Sequence, residues 1–97
     1  IAVNLMAGVP AIVKPATITC FLTEMMVREI VASKILPKGS LQLICGSARG
    51  IIDSVETGDI VTFTGSASTG MMLKSNPRLI EKAVSFNMEA DSLNCSV

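Results

Sequence analysis

An α/β fold, built as a Rossmann-like parallel sheet with flanking helices, is what this sequence predicts. Three observations carry it. Apolar residues make up 49% of the 97, the mean hydropathy is +0.58, and short continuous runs such as Ala11-Ile12-Val13 have the pattern of strands buried on both faces. Segments with helical periodicity stand between those runs. Glycines and prolines mark the changeovers, giving the strand–helix alternation of a βαβ unit.

Taken in order, residues 2–6 read as the end of a helix, stopped by Gly8 and Pro10, and residues 11–14 as a short buried strand. Residues 18–33 read as a helix, because Ile18, Phe21, Leu22, Met25, Met26 and Ile30 gather near one face. Glu24 and Arg28 stand four apart in the order that favours an ion pair. Pro37, Lys38 and Gly39 turn the chain into a second strand over 41–45, and Gly46 and Gly50 flank the entry to a short helix at 51–55. A third strand at 60–63 runs into a helix at 66–74, which Asn76-Pro77 breaks, and the segment 83–88 is a candidate fourth strand. In parallel sheets of this kind ligands sit beyond the carboxyl ends of the strands, where Lys14, Gly46 and Gly65 fall.

Composition narrows the function classes. Eight basic and eight acidic residues are scattered singly for a net charge of zero, and only 3% of the chain is aromatic. No basic patch or stacking face results, which argues against a nucleic-acid partner. The charge-free run 1–13 is interrupted by Asn4, Gly8 and Pro10 and is too short to span a bilayer. It also lacks the basic start of a secretory leader, so the expectation is a cytoplasmic protein with no membrane role. Three cysteines without a histidine or a CxxC pair predict reduced thiols and no metal site. Ile1 in place of an initiator Met, and an apolar run cut at Val97, are expected of an internal fragment of a larger protein.

The residues with chemical potential cluster at strand ends. Ile60-Val61-Thr62-Phe63 runs into Gly65-Ser66 and then directly into a helix-compatible segment. Such a turn aims backbone N–H groups at one point, where the helix dipole also favours negative charge. Gly65 permits close backbone approach and Ser66 adds a hydroxyl donor, so a phosphate would fit; a plain strand-to-helix turn stands equally open. Lys14, held extended by Pro15, either reaches an anion or ribose beyond the strand or snorkels at the surface. Glu89 stands among Val84, Phe86, Met88 and Leu93. Burial there would raise its pKa towards the range useful to a general base; an ordinary surface carboxylate is the alternative.

The sequence Phe63-Thr64-Gly65-Ser66 followed by Gly70 resembles the cofactor loop of the aldehyde dehydrogenase superfamily. Upstream, the run 7–16 ending in Val13-Lys14-Pro15-Ala16 is similar to that family's strand ending in Lys-Pro. Downstream, Phe86-Asn87-Met88-Glu89-Ala90 resembles the strand carrying its base. The three motifs occur in the family's order and span essentially the whole chain. Within the superfamily, Glu89-Ala90-Asp91-Ser92-Leu93-Asn94-Cys95, with Ala16-Thr17 after Lys-Pro, looks like the dehydrogenase half of the bifunctional ring-opening enzymes of bacterial phenylacetate degradation.

That resemblance implies that residues 1–97 are part of the NAD(P)-binding region of an aldehyde dehydrogenase domain. It implies a small-molecule aldehyde substrate, a CoA-linked semialdehyde, and a homo-oligomeric full-length protein. Lys14 and Pro15 would sit at the adenosine ribose, Gly65 and Ser66 at the phosphates, and Glu89 would activate the water that hydrolyses a cysteine thioester. Thr17 stands where many NAD-using members carry a glutamate. Its lack of charge would admit a 2′-phosphate, and with Arg49 as a matching cation NADP becomes the expected cofactor, with NAD the alternative. Thr17 as a helix starter and Arg49 as a solvated side chain remain open. The Ala90-Asp91-Ser92 that follows Glu89 replaces the family's common Leu-Gly-Gly, which leaves Asp91 as a second candidate base. Cys20, Cys45 and Cys95 read as small buried apolar residues; the resemblance implies a nucleophile beyond Val97 and an isolated fragment that is inactive. An acylating or generic semialdehyde dehydrogenase, or a non-catalytic nucleotide-binding remnant, is the competing reading.

Overall fold

A computed structural model of the chain describes residues 1–48 and 50–91. It divides into two units, residues 1–48 and residues 49–97. Each contains one parallel strand pair joined by a helical crossover.

In the first unit a single helical turn, α1 (Ala2–Met6), ends where Gly8 takes a positive φ of 75°. Strand β1 (Ala11–Val13) pairs in parallel with β2 (Leu41–Leu43), Ala11 opposite Leu41 and Val13 opposite Leu43. Both strands are shorter than their apolar runs, although Ile44 N–H still donates to Val13 O at 2.9 Å. Between them lie a 3₁₀ turn (Thr17–Thr19) and helix α2 (Cys20–Ala32). The sequence predicts one helix over 18–33; the chain tightens its start into 3₁₀ because neither Ala16 nor Thr19 supplies a side-chain cap. Gly39, at φ 88°, closes the turn into β2 by letting Ser40 N–H reach Pro37 O at 3.1 Å.

Val27 and Leu41 are the buried residues of this unit. The apolar face expected of α2 is open: Phe21, Leu22, Met25 and Met26 are all more than half exposed. On that helix the Arg28 guanidinium bonds Glu24 Oε1 at 2.6 Å, the i, i+4 pair read from the sequence.

In the second unit β3 (Ile60–Gly65) and β4 (Ser85–Ala90) form six parallel pairs, from Ile60 opposite Ser85 to Gly65 opposite Ala90. The crossover consists of α3 (Ala67–Lys74) and α4 (Pro77–Glu81). Asn76-Pro77 does more than end a helix. Asn76 Oδ1 accepts from Arg78 N–H at 2.8 Å and Pro77 occupies the first helical position, so the pair starts α4. The expected helix at 51–55 is a 3₁₀ turn, Ile52–Ser54.

Val55, Leu79 and Val84 form the core here, with Ile52, Val61 and Phe86 packed against them. Arg78 ties its rim together. Its Nε donates to Val55 O at 3.0 Å and its guanidinium pairs with Glu56, while Lys82 Nζ reaches Glu56 Oε2 at 3.0 Å. No helix among the described residues is long and apolar enough to cross a membrane.

Candidate functional site

Strand alternation sorts the second unit's residues onto two faces. Phe63 and Met88, paired across the ladder, lie against Gly70 of α3, so they define the helix-covered face. Thr62 and Asn87, then Thr64 and Glu89, are the pairs on the opposite face, and all four are exposed. Glu89 therefore does not enter the apolar neighbourhood that its sequence neighbours predict. Within this unit Val84 and Phe86 pack inward while Glu89 points outward, beside Thr64 at the carboxyl end of β3. Leu93, the remaining expected neighbour, lies outside the described residues.

One residue further on, Gly65 ends β3 and Ser66 caps α3. Ser66 Oγ accepts from Thr69 N–H at 3.3 Å and lies 2.9 Å from Thr69 Oγ1. Gly65 adopts no positive φ, so backbone freedom is not why it is glycine. A Cβ there would stand 2.6 Å from Phe63 Cζ; the missing side chain makes room for the Phe63 ring. The first turn of α3 is also less open than the sequence predicts. Asp91 Oδ1 accepts from Ala67 N–H at 3.2 Å, so with Ser66 two of its amides already have side-chain acceptors. The dipole argument holds nonetheless, because the group that Ala67 receives is anionic. Asp91, weighed from the sequence as a base, is here a helix cap.

In the first unit Lys14 directly follows β1, with its side chain exposed and Pro15 half-buried behind it. Ala16 is extended (φ −60°, ψ 140°), and Thr17 opens the 3₁₀ turn, exposed and without a capping role. Gly46 lies beyond the end of β2 at φ 125°. Lys14, Thr17 and Gly46 thus all belong to the carboxyl end of the β1–β2 pair. Arg49, the expected cation, lies outside the described residues, as does Cys95.

Neither described cysteine has the character of a nucleophile. Cys20 is half-buried in α2. The exposed Cys45 is held above the ordinary thiol range, first by desolvation and then by the neighbouring Cys20 thiol, so the reactive thiolate is disfavoured at neutral pH. Among the described residues, no three His, Cys, Asp or Glu side chains group as metal ligands.

Comparison with known proteins bears on this geometry. Residues 1–95 match the aldehyde dehydrogenase family. The chain is 43% identical over 93 residues to the 3,4-dehydroadipyl-CoA semialdehyde dehydrogenase of Aromatoleum evansii. That alignment covers 96% of this chain and 18% of the relative, so the chain spans less than a fifth of the protein it matches.

Proposed function

This chain belongs to the aldehyde dehydrogenase family, and we propose that it forms part of the NAD(P)-binding region of an enzyme that oxidises a CoA-linked semialdehyde to the acid. The register of β3 with β4 carries this reading. It sets Glu89 beside Thr64, immediately before the Gly65–Ser66 turn into α3. A carboxylate and an anion-receiving turn thereby share the carboxyl ends of neighbouring strands, as an oxidation followed by hydrolysis needs.

The residues present fit a dinucleotide. The start of α3 favours an anionic group, as the bond from Ala67 N–H to the Asp91 carboxylate illustrates, and the exposed hydroxyl of Ser68 is a polar group beside it. In this reading Gly65 and Ser66 receive the phosphates, and Lys14, Pro15, Thr17 and Arg49 receive the adenosine ribose with its 2′-phosphate, so NADP is preferred to NAD. When bound, the dinucleotide would supply the hydride acceptor that turns the adduct of a cysteine thiolate and the aldehyde into a thioester. Glu89 takes a proton from the water that attacks the resulting cysteine thioester, and the acid departs as the thiolate is released. The attacking cysteine comes from outside residues 1–97. The same reading makes the protein a cytoplasmic homo-oligomer in which other segments cover the open face of α2.

Replacing Glu89 with Gln in the full-length protein tests the assignment. Steady-state oxidation of the semialdehyde should fall by about 10²–10⁴-fold, while the first-turnover burst of reduced nucleotide survives. Wild-type turnover in that variant, or loss of the burst as well, would remove Glu89 as the base. A wild-type protein that oxidises no aldehyde would end the enzymatic reading altogether.

A further inference from the structure

We infer that Asp91 is a positioning residue that clamps the end of β4, and with it Glu89, onto the turn between β3 and α3; the inference rests on the assignment of Glu89 as the base. Asp91 engages that turn twice. Its N–H donates to Gly65 O at 3.2 Å, and its Oδ1 accepts from Ala67 N–H at 3.2 Å. One residue therefore holds both neighbours of Ser66. To do so it leaves the strand at φ 52°, a left-handed conformation that aspartate tolerates better than most residues.

The placement gives the clamp a task. Among the described residues the β3–β4 ladder extends one pair beyond Glu89, to Gly65 opposite Ala90. Strand ends open locally at low cost, so a base so near the end of a ladder would be poorly fixed without a closing contact. Asp91 supplies that contact two residues past Glu89, and the dipole of α3 strengthens its carboxylate bond to Ala67. Small displacements of a base are expensive in rate, which is why the effect should appear in turnover.

Two substitutions in the full-length protein separate backbone from carboxylate. Asp91→Gly keeps the left-handed backbone accessible and removes the acceptor; Asp91→Asn keeps both an amide oxygen and tolerance of that backbone. Asp91→Gly should lower the steady-state rate by about tenfold, part of what loss of the base itself would cost, with burst amplitude and aldehyde KM unchanged. Hydrogen exchange should accelerate in segments 64–72 and 85–91. Asp91→Asn should fall between wild type and Asp91→Gly in rate, because a neutral acceptor keeps the bond without its charge assistance. An Asp91→Gly protein that turns over and exchanges like wild type overturns the inference, and so does an Asp91→Asn protein impaired as badly as Asp91→Gly. If the wild type oxidises no aldehyde, the enzymatic reading fails by itself, and unchanged exchange in Asp91→Gly still refutes the clamp.

Discussion

Gly70 is the buried residue of α3, packed on Phe63 and Met88 of its sheet, and giving it a side chain tests how that contact sets the site. Gly70 is buried, and a Cβ there would overlap Met88 Sδ, stand 2.9 Å from Met88 Cγ and lie 3.2 Å from Phe63 Cδ1. Two effects oppose each other in Gly70→Ala. Alanine in a helix interior gains about 1 kcal/mol over glycine. Against that, overpacking a filled contact costs about 1–3 kcal/mol. The Met88 sulfur can rotate away, since Met88 is 37% exposed. Its Cγ can move away only by a change of rotamer about Cα–Cβ, and the Phe63 ring must yield too. The cost therefore exceeds the gain, for a net loss of about 1 kcal/mol, and Gly70→Val should lose about 3 kcal/mol.

Native-state hydrogen exchange over residues 60–91 in the full-length protein reads this locally and does not require the whole protein to unfold in one step. The decisive comparison is the double mutant with Met88→Ala, which removes both methionine atoms from the overlap and leaves only the tolerable Phe63 contact. Gly70→Ala should then cost about 1 kcal/mol less than in the wild-type background, a coupling typical of touching residues. A Gly70→Ala protein stabilised by the full helix-propensity gain would refute the packing argument. Equal costs with and without Met88 would do the same.

Two further outcomes are expected. Thr17→Glu puts a carboxylate where a 2′-phosphate is proposed, and like-charge repulsion should lower the ratio of NADP to NAD efficiency by at least about tenfold; an unchanged ratio refutes the assignment. Glu56 is held below its ordinary value of 4.5, chiefly by the bond from Lys82 and by the Arg78 and Lys82 charges, against desolvation and Asp59. A carboxylate depressed in the folded state stabilises fully above its unfolded pKa, and that stabilisation is lost as the pH falls through the lower folded value. The exchange stability of residues 50–91 should thus fall as the pH drops below about 4.5, and Glu56→Gln should flatten that fall; an identical acid profile would refute the role.

Local chemistry wrote most of the elements plainly. The helix read over 66–74 forms at 67–74 with Ser66 as its cap, and the runs at 11–14, 41–45 and 60–63 all contain strands. The errors have local causes. Asn76-Pro77 carries both a capping side chain and a first-turn proline, signals of a helix start as well as a break, and α4 follows from them. The last strand shifts to 85–90 because Ala83 turns left-handed at φ 51° after α4, which the sequence does not announce at an alanine. The apolar stripe of α2 was visible, yet burial depends on what lies opposite, and in this chain much of that stripe faces outward.

The site was legible as residue types and hidden as relations. Glu89 and the Gly65–Ser66 turn stand out as chemistry, but which face Glu89 occupies follows from a register 25 positions long in sequence, Thr64 against Glu89. A one-residue slip of β4 would have turned that carboxylate under α3 and brought its neighbour out. The role of Asp91 is set the same way. Nothing local distinguishes a carboxylate that abstracts a proton from one that caps a helix; its partner, Ala67, lies 24 positions away and meets it only because the β3–β4 ladder ends level with the start of α3. Register thus decides which of two carboxylates, Glu89 or Asp91, stands exposed beside Thr64 and which one caps α3. The Gly65–Ser66 turn and the end of β4 that carries Glu89 are consequently held together, through Asp91 at the turn and through Gly70 against Met88.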